Sequence, residues 1–296
     1  MIKGPSSHSY FSHRLKLHYL DWGDPNAFPV LLIHGSQDNC HTWDWTCEAM
    51  INNYRFLVPD LRGHGDSAWA IGSSYSSLDY VYDIHQLVEQ SCLEKVHVVG
   101  HSLGGMVACL FSGLFPERVA SLTSIEGVGA YWQEKLEKES PKLSIREWFS
   151  QAHAFAARVP RRYETMDDAL KRMQASNPHL SPEKAKHLTN HGSYRNEDGT
   201  YTWKFDPYTY SWPPVGLQPG ETIQIWEDIS CPTLLLNATD GLDYRTGQND
   251  TLKHFRRADL KIIPEAGHWL HHDQFDRFSN QLDSFLRRAI SDSEKE

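Results

Sequence analysis

The chain has 296 residues, of which 40% are hydrophobic and 23% charged, and 38 acidic against 29 basic side chains give a formal charge of -9. That length suits one large α/β domain or two smaller ones, with a core that needs no stapling. An acidic chain without a dense basic stretch lacks the electrostatic footprint of a nucleic-acid binder, and no run approaches the roughly 18 apolar residues of a membrane span.

The opening residues lack the uninterrupted apolar stretch of a secretory signal, so a cytoplasmic protein is expected. Cys40, Cys47, Cys92, Cys109 and Cys231 are an odd, scattered set with no CxxC pair, which predicts reduced thiols rather than a disulfide framework or a zinc site.

Residues 14–23, RLKLHYLDWG, alternate in polarity and predict antiparallel edge sheet. VLLIHG (30–35), YRFLVPD (54–60), KVHVVGH (95–101), VASLTSIEG (119–127), PTLLLNA (232–238) and DLKIIPE (259–265) predict strands, and their nearly continuous apolar character suits central strands covered on both faces. Helices are predicted between them over 42–53, 77–90 and 103–115, and over 275–290 at the end. This alternation predicts an α/β fold with a mostly parallel sheet and helices on both sides.

The alternation breaks after Gly129. Residues 130–218 are expected to form an inserted, mainly helical cap, with helices over 131–140, 143–159 and 166–177 and a loop over 201–220; residues 1–129 and 219–296 would form the α/β core. The cap's tryptophans and tyrosines either roof a pocket or pack the cap onto the core.

Gly100-His101-Ser102-Leu103-Gly104 is a GxSxG motif lying between a predicted strand and a predicted helix, the context that makes it a nucleophile turn. A sharp turn strains the serine backbone and needs small residues two positions away on either side. The hydroxyl then stands at the sheet's carboxyl edge, where open α/β sheets place ligands.

A serine hydroxyl needs a base to take its proton. His268, after the last predicted strand in IIPEAGHWLHHDQF, is the best placed of 17 histidines, while His271 and His272 are expected at the surface or cap of the closing helix. The oxyanion of an attacked carbonyl needs two N–H donors, for which the amides of Leu103 and Ser36 are the candidates. Asp60, Arg62 and His64 in DLRGHGDS are expected to fix a loop, and Cys40 and Cys47 to have no chemistry.

VLLIHG, VPDLRGHGDS, GHSLGG, FPERV, CPTLLL and AGHW, in that order, resemble the α/β-hydrolase fold family across nearly the whole chain. HGSQDN with TWDW, SNPHLSPE and SIEGVG resemble its serine hydrolase-like, esterase-type subgroup. The resemblance implies an acid as third member of a triad. In most relatives an aspartate follows the seventh strand, but the corresponding position here is Gly241, flanked by Asp240 and Asp243. A second solution in the fold puts the acid at the end of the preceding strand, where Glu126 stands. Glu126, Asp240 and Asp243 all remain candidates.

The expected activity is hydrolysis of carboxylic esters through an acyl-enzyme, with a small-molecule substrate, no cofactor and no metal, in a monomer or homodimer. Serine at the nucleophile position argues against the dehalogenase and epoxide hydrolase activities found in the fold. The alternatives are a catalytically weak ligand-binding homologue, a hydrolase of lactones, thioesters, amides or carbon–carbon bonds, and cofactor-free oxidative or perhydrolytic chemistry on the same triad.

Overall fold

A computed structural model describes residues 4–73, 75–130, 141–156, 160–213 and 216–293. Strands β1 (Ser6–Ser12), β2 (Leu15–Trp22), β3 (Phe28–Ile33), β4 (Tyr54–Pro59), β5 (Val96–His101), β6 (Val119–Ile125), β9 (Thr233–Ala238) and β10 (Ala258–Ile263) form an eight-stranded sheet in the order β1-β2-β4-β3-β5-β6-β9-β10. From β4 through β10 every neighbouring pair is parallel, and β1 and β2 join antiparallel to each other, with β2 also antiparallel to β4. The α/β architecture read from the alternating pattern is the observed one.

Alternation along each strand sends side chains to two separate layers. On one face Leu31 and Ile33 join α2 (Ser77–Gln90), α3 (Leu103–Leu114) and Trp226 of α7 (Pro219–Glu227); on the other Val30 and Leu32 join α1 (Asp44–Met50) and α9 (Phe275–Ser293). Every residue of β5 and of β9 is buried, because both lie inside the sheet with helices above and below. The parallel directions bring the loops after β3, β5, β6, β9 and β10 to one edge of the sheet.

One expectation needs correcting. Residues 14–23 do form an antiparallel strand, but β2 is second from the edge, because the serine-rich β1 pairs with it from Ser6↔Asp21 to Ser12↔Leu15. Five of the seven residues of β1 are exposed, so it carries little hydrophobic periodicity for a sequence reading to find.

Between β6 and β9 the described residues contribute no strand to the main sheet. They form α4 (Pro141–Ala156), α5 (Met166–Ser176), α6 (Pro182–Gly192) and a hairpin of β7 (Ser193–Arg195) and β8 (Tyr201–Trp203). The helix read over 131–140 lies outside the described residues, as do the last three residues of that read over 143–159. The loop expected over 201–220 contains β8 and the start of α7, whose burial and pairing the local composition did not indicate. Side-chain oxygens of Thr165 and Ser181 accept the amides of Asp168 and Lys184 and so start α5 and α6. Tyr208 and Trp212 pack against the core cluster that holds α2 and α3, and the Trp69 indole donates to the Lys204 carbonyl.

Candidate active site

Ser102 stands between β5 and α3 with φ 54 and ψ -114, a conformation that costs a non-glycine residue on the order of 1–3 kcal/mol. The surrounding backbone holds it: its amide donates to the Ile125 carbonyl at 2.9 Å, and its carbonyl accepts from Met106 and Val128. The need for small residues on either side has a steric origin. A Cβ on Gly100 would meet the Gly104 carbonyl oxygen at 2.1 Å, and one on Gly104 would meet the Ile33 carbonyl oxygen at 2.3 Å.

The loop after β10 places His268 opposite Ser102. Its Nε2 lies 2.9 Å from Ser102 Oγ and its Nδ1 lies 3.2 Å from Glu126 Oε2. Glu126 follows β6 at φ 49 and is fully buried. The Ala238 amide donates to Oε1 at 2.6 Å, the Leu242 amide to Oε2 at 3.1 Å, and Arg245 Nη1 to Oε1 at 2.7 Å. Four donors therefore converge on one carboxylate if His268 carries its proton on Nδ1. That tautomer leaves Nε2 free to accept from the Ser102 hydroxyl.

Asp240 and Asp243 are exposed, and neither carboxylate bonds to the imidazole. Of the three candidate acids, the fold brings only Glu126 to His268. Arg245, which the sequence reading did not single out, sits beside Glu126 with a side chain 9% exposed. Its signal was absent because an isolated arginine in a loop carries no periodicity or motif.

His271 and His272 require a correction. They lie in the short helix α8 (Leu270–Asp273) ahead of α9, and both are buried rather than at the surface. Thr42 Oγ1 is 2.8 Å from His272 Nε2, and Trp43 stacks on His271. Burial, reinforced by neighbouring histidines and Lys184, holds both well below the usual imidazole range, so they are neutral packing groups. His101, also buried and held well below that range by burial, donates from Nε2 to the His268 carbonyl at 2.8 Å and so fixes the His268 backbone.

Leu103 is the first residue of α3, where an amide has no partner in its own helix. Ser36 is exposed in the loop after β3, and the adjacent Gly35 lies so near Ser102 that a Cβ on it would stand 3.2 Å from the serine Cβ. His34 anchors this loop through Nδ1 to the Gly35 carbonyl and through Nε2, which accepts the Leu61 amide. The DLRGHGDS loop is held as the sequence reading expected: Asp60 binds His18 and the amides of Cys40 and Asp66, Arg62 pairs with Asp83, and His64 bonds the Arg62 carbonyl. Cys40 and Cys47 are buried, and burial pushes both thiols well above the usual range. All five cysteines are free.

Two groups of ligand-type side chains occur among the described residues, His18 with Cys40 and Asp60, and His41 with Asp44, His187 and His191. Neither includes Ser102, His268 or Glu126. In the first, Asp60 already binds His18 and two backbone amides, which makes it a structural knot.

The sequence profile of the alpha/beta hydrolase fold family matches residues 29–275. The chain belongs to the α/β-hydrolase fold family. It is 29% identical over 223 residues to a serine hydrolase-like protein of Danio rerio, covering 75% of this chain and 68% of that one. It is 26% identical over 263 residues to an esterase of Mycobacterium tuberculosis, covering 86% and 81%. A solved structure of a Mycobacterium tuberculosis esterase superposes with a TM-score of 0.77 at 21% identity over 96% of this chain and 92% of the other. No helix among the described residues is long and apolar enough to cross a membrane.

Proposed function

We propose that this α/β-hydrolase is a serine esterase that cleaves carboxylic esters of small molecules through an acyl-enzyme. One observation carries the reading: Ser102 Oγ, the His268 ring and the buried Glu126 carboxylate form a continuous hydrogen-bonded line of 2.9 and 3.2 Å. Esterase and serine hydrolase-like relatives support the choice of ester chemistry.

In the proposed reaction Ser102 Oγ bonds to the ester carbonyl carbon while its proton passes to His268 Nε2. The Ser36 and Leu103 amides receive the negative oxygen that develops. Collapse breaks the carbon–alkoxy bond, and His268 returns the proton to the departing alcohol. Water then repeats the sequence on the acyl-enzyme, yielding the carboxylic acid and free serine. Glu126 accepts from His268 Nδ1–H, orients the ring and balances the positive charge it carries in each transition state. No cofactor takes part in these steps.

The described residues between β6 and β9 act in this reading as part of a cap. The cavity beside the first turns of α3, lined by Ser77, Met106, Leu110, Val128, Ala130 and Thr222, has room for about one water molecule, so acyl length is left to the ester series below.

The test is a fluorophosphonate probe together with a series of p-nitrophenyl esters of increasing acyl length. Stoichiometric labelling at Ser102 is expected, and Ser102→Ala should lose on the order of 10^4 to 10^6 in kcat with its circular dichroism unchanged. A variant keeping more than about a tenth of the activity would remove Ser102 from the mechanism. Folded protein that neither labels nor turns over any ester would instead be a ligand-binding homologue.

A further inference from the structure

A second cluster of polar side chains lies where the insertion packs on the core, and the acyl-transfer reading makes no use of it. His41 lies in the 3-10 turn Cys40–Trp43 and Asp44 opens α1, while His187 and His191 stand one turn apart on α6. One potential ligand atom from each of the four falls in a set whose members are all within 4.8 Å of one another. Asp44 Oδ2 is 2.9 Å from His41 Nδ1 and 2.9 Å from His187 Nε2. The rings of His41 and His191 stack with centroids 3.7 Å apart. Asp44 is only 8% exposed, and its second oxygen, Oδ1, has no hydrogen-bond partner among the described residues.

We propose that His41, Asp44, His187 and His191 bind one divalent transition-metal ion of the zinc class, which clamps helix α6 of the insertion to the core. Three imidazoles and one carboxylate are donors that suit zinc, cobalt, nickel or copper, whereas magnesium and calcium prefer all-oxygen shells. The spacing of four between His187 and His191 puts both rings on one face of α6. His41 and Asp44, three residues apart across a helical turn, oppose them from the core. A tetrahedral shell with bonds of about 2.0–2.1 Å sets its ligand atoms roughly 3.3 Å apart. The two 2.9 Å contacts to Asp44 are near that spacing, and no gap in the set exceeds 4.8 Å.

In the metal-free chain His41 Nδ1 and His187 Nε2 donate to Asp44 Oδ2, so a bound metal takes the place of those two protons. Two of the four ligands come from the segment that follows the Ser36 loop and two from the insertion. Metal binding would therefore tie the insertion to the backbone next to the candidate oxyanion donors.

The competing description is a metal-free joint in which Asp44 simply accepts from two histidines. To decide, the full chain is stripped with chelator, exchanged into chelator-free buffer and titrated with cobalt(II) or zinc(II) chloride alone, with magnesium chloride as control. Expected are one cobalt per chain with the visible spectrum of a tetrahedral site, its displacement by zinc, and a rise in Tm with zinc but not magnesium. Zinc-edge X-ray absorption on the wild-type chain should show three imidazoles and one oxygen at about 2.0–2.1 Å. His187→Gln with His191→Gln should weaken zinc binding by about 100-fold or more and abolish the zinc-dependent Tm rise. Absence of stoichiometric binding, or undiminished binding in the double variant, overturns the proposal. Should that variant fail to fold, the wild-type absorption spectrum decides, and fewer than three imidazoles on the zinc overturns it.

Discussion

Gly241 lies so close to Glu126 that a Cβ on it would stand 2.1 Å from Oε2. The position where the family resemblance leads one to expect an aspartate thus has no room for a side chain while Glu126 occupies its place. The two acids are alternative tenants of one volume, reached from β6 in one case and from the loop after β9 in the other. Gly241→Ala should displace the carboxylate and with it His268, lowering kcat/KM for esters by about tenfold or more. Glu126→Gly combined with Gly241→Asp should be more active than Glu126→Gly alone. Steady-state kinetics on purified variants reads both, and a fully active Gly241→Ala would show that the carboxylate has slack the geometry does not suggest.

Side-by-side substitution separates the three acids considered from sequence. Glu126→Gln should lose about two to four orders of magnitude in kcat, because the imidazole loses its tautomer-fixing acceptor. Asp240→Asn and Asp243→Asn, both at exposed positions, should stay within about twofold of wild type. The same Glu126 change leaves the Arg245 charge buried without its partner, at a cost of about 3–5 kcal/mol, so urea denaturation should show a lowered midpoint. Equal, mild losses in all three variants would contradict the role assigned to Glu126.

Gly104→Ala tests the close approach of α3 to β3. The added methyl would stand 2.3 Å from the Ile33 carbonyl oxygen and 2.6 Å from that of His34, and both belong to backbone that cannot yield cheaply. A stability loss of about 1–3 kcal/mol is expected, with a fall in ester turnover as the Ser36 loop moves. Denaturation and kinetics on the same preparation check it; unchanged turnover with reduced stability would separate that loop from catalysis.

Acid should weaken the fold through its buried histidines, above the range in which ordinary carboxylates titrate. Burial lowers His64 to about 3 and His97 to about 4, whereas an unfolded histidine titrates near 6.5. The unfolded chain therefore binds more protons below pH 6.5. The stabilisation is complete above that value and declines by about 1.4 kcal/mol per pH unit for each such group as pH falls toward 4. Denaturation midpoints measured from pH 7.5 to 4.5 should show this slope, and His97→Gln should flatten it. An identical slope in the variant would mean that His97 is not a source of the acid sensitivity.

The local pattern of the chain carried most of the fold. Apolar runs such as 96–101 and 233–238 can be satisfied only inside a covered parallel sheet, and the strand-GxSxG-helix order dictates where Ser102 must stand. His268 was legible by its position after the last strand. β1 was not, because its exposed serines leave no periodic signal.

Which of the three carboxylates meets His268 was beyond the reach of the sequence by itself. Glu126 has its place through amides 112 and 116 residues further along the chain and through Arg245, and these contacts exist only once β6 and β9 are paired. The burial of His271 and His272 and the meeting of His41 and Asp44 with His187 and His191 were decided in the same way. Periodicity and turn chemistry act over a few residues and are written along the chain; the convergence of charged groups from distant loops depends on packing, which is settled only in three dimensions.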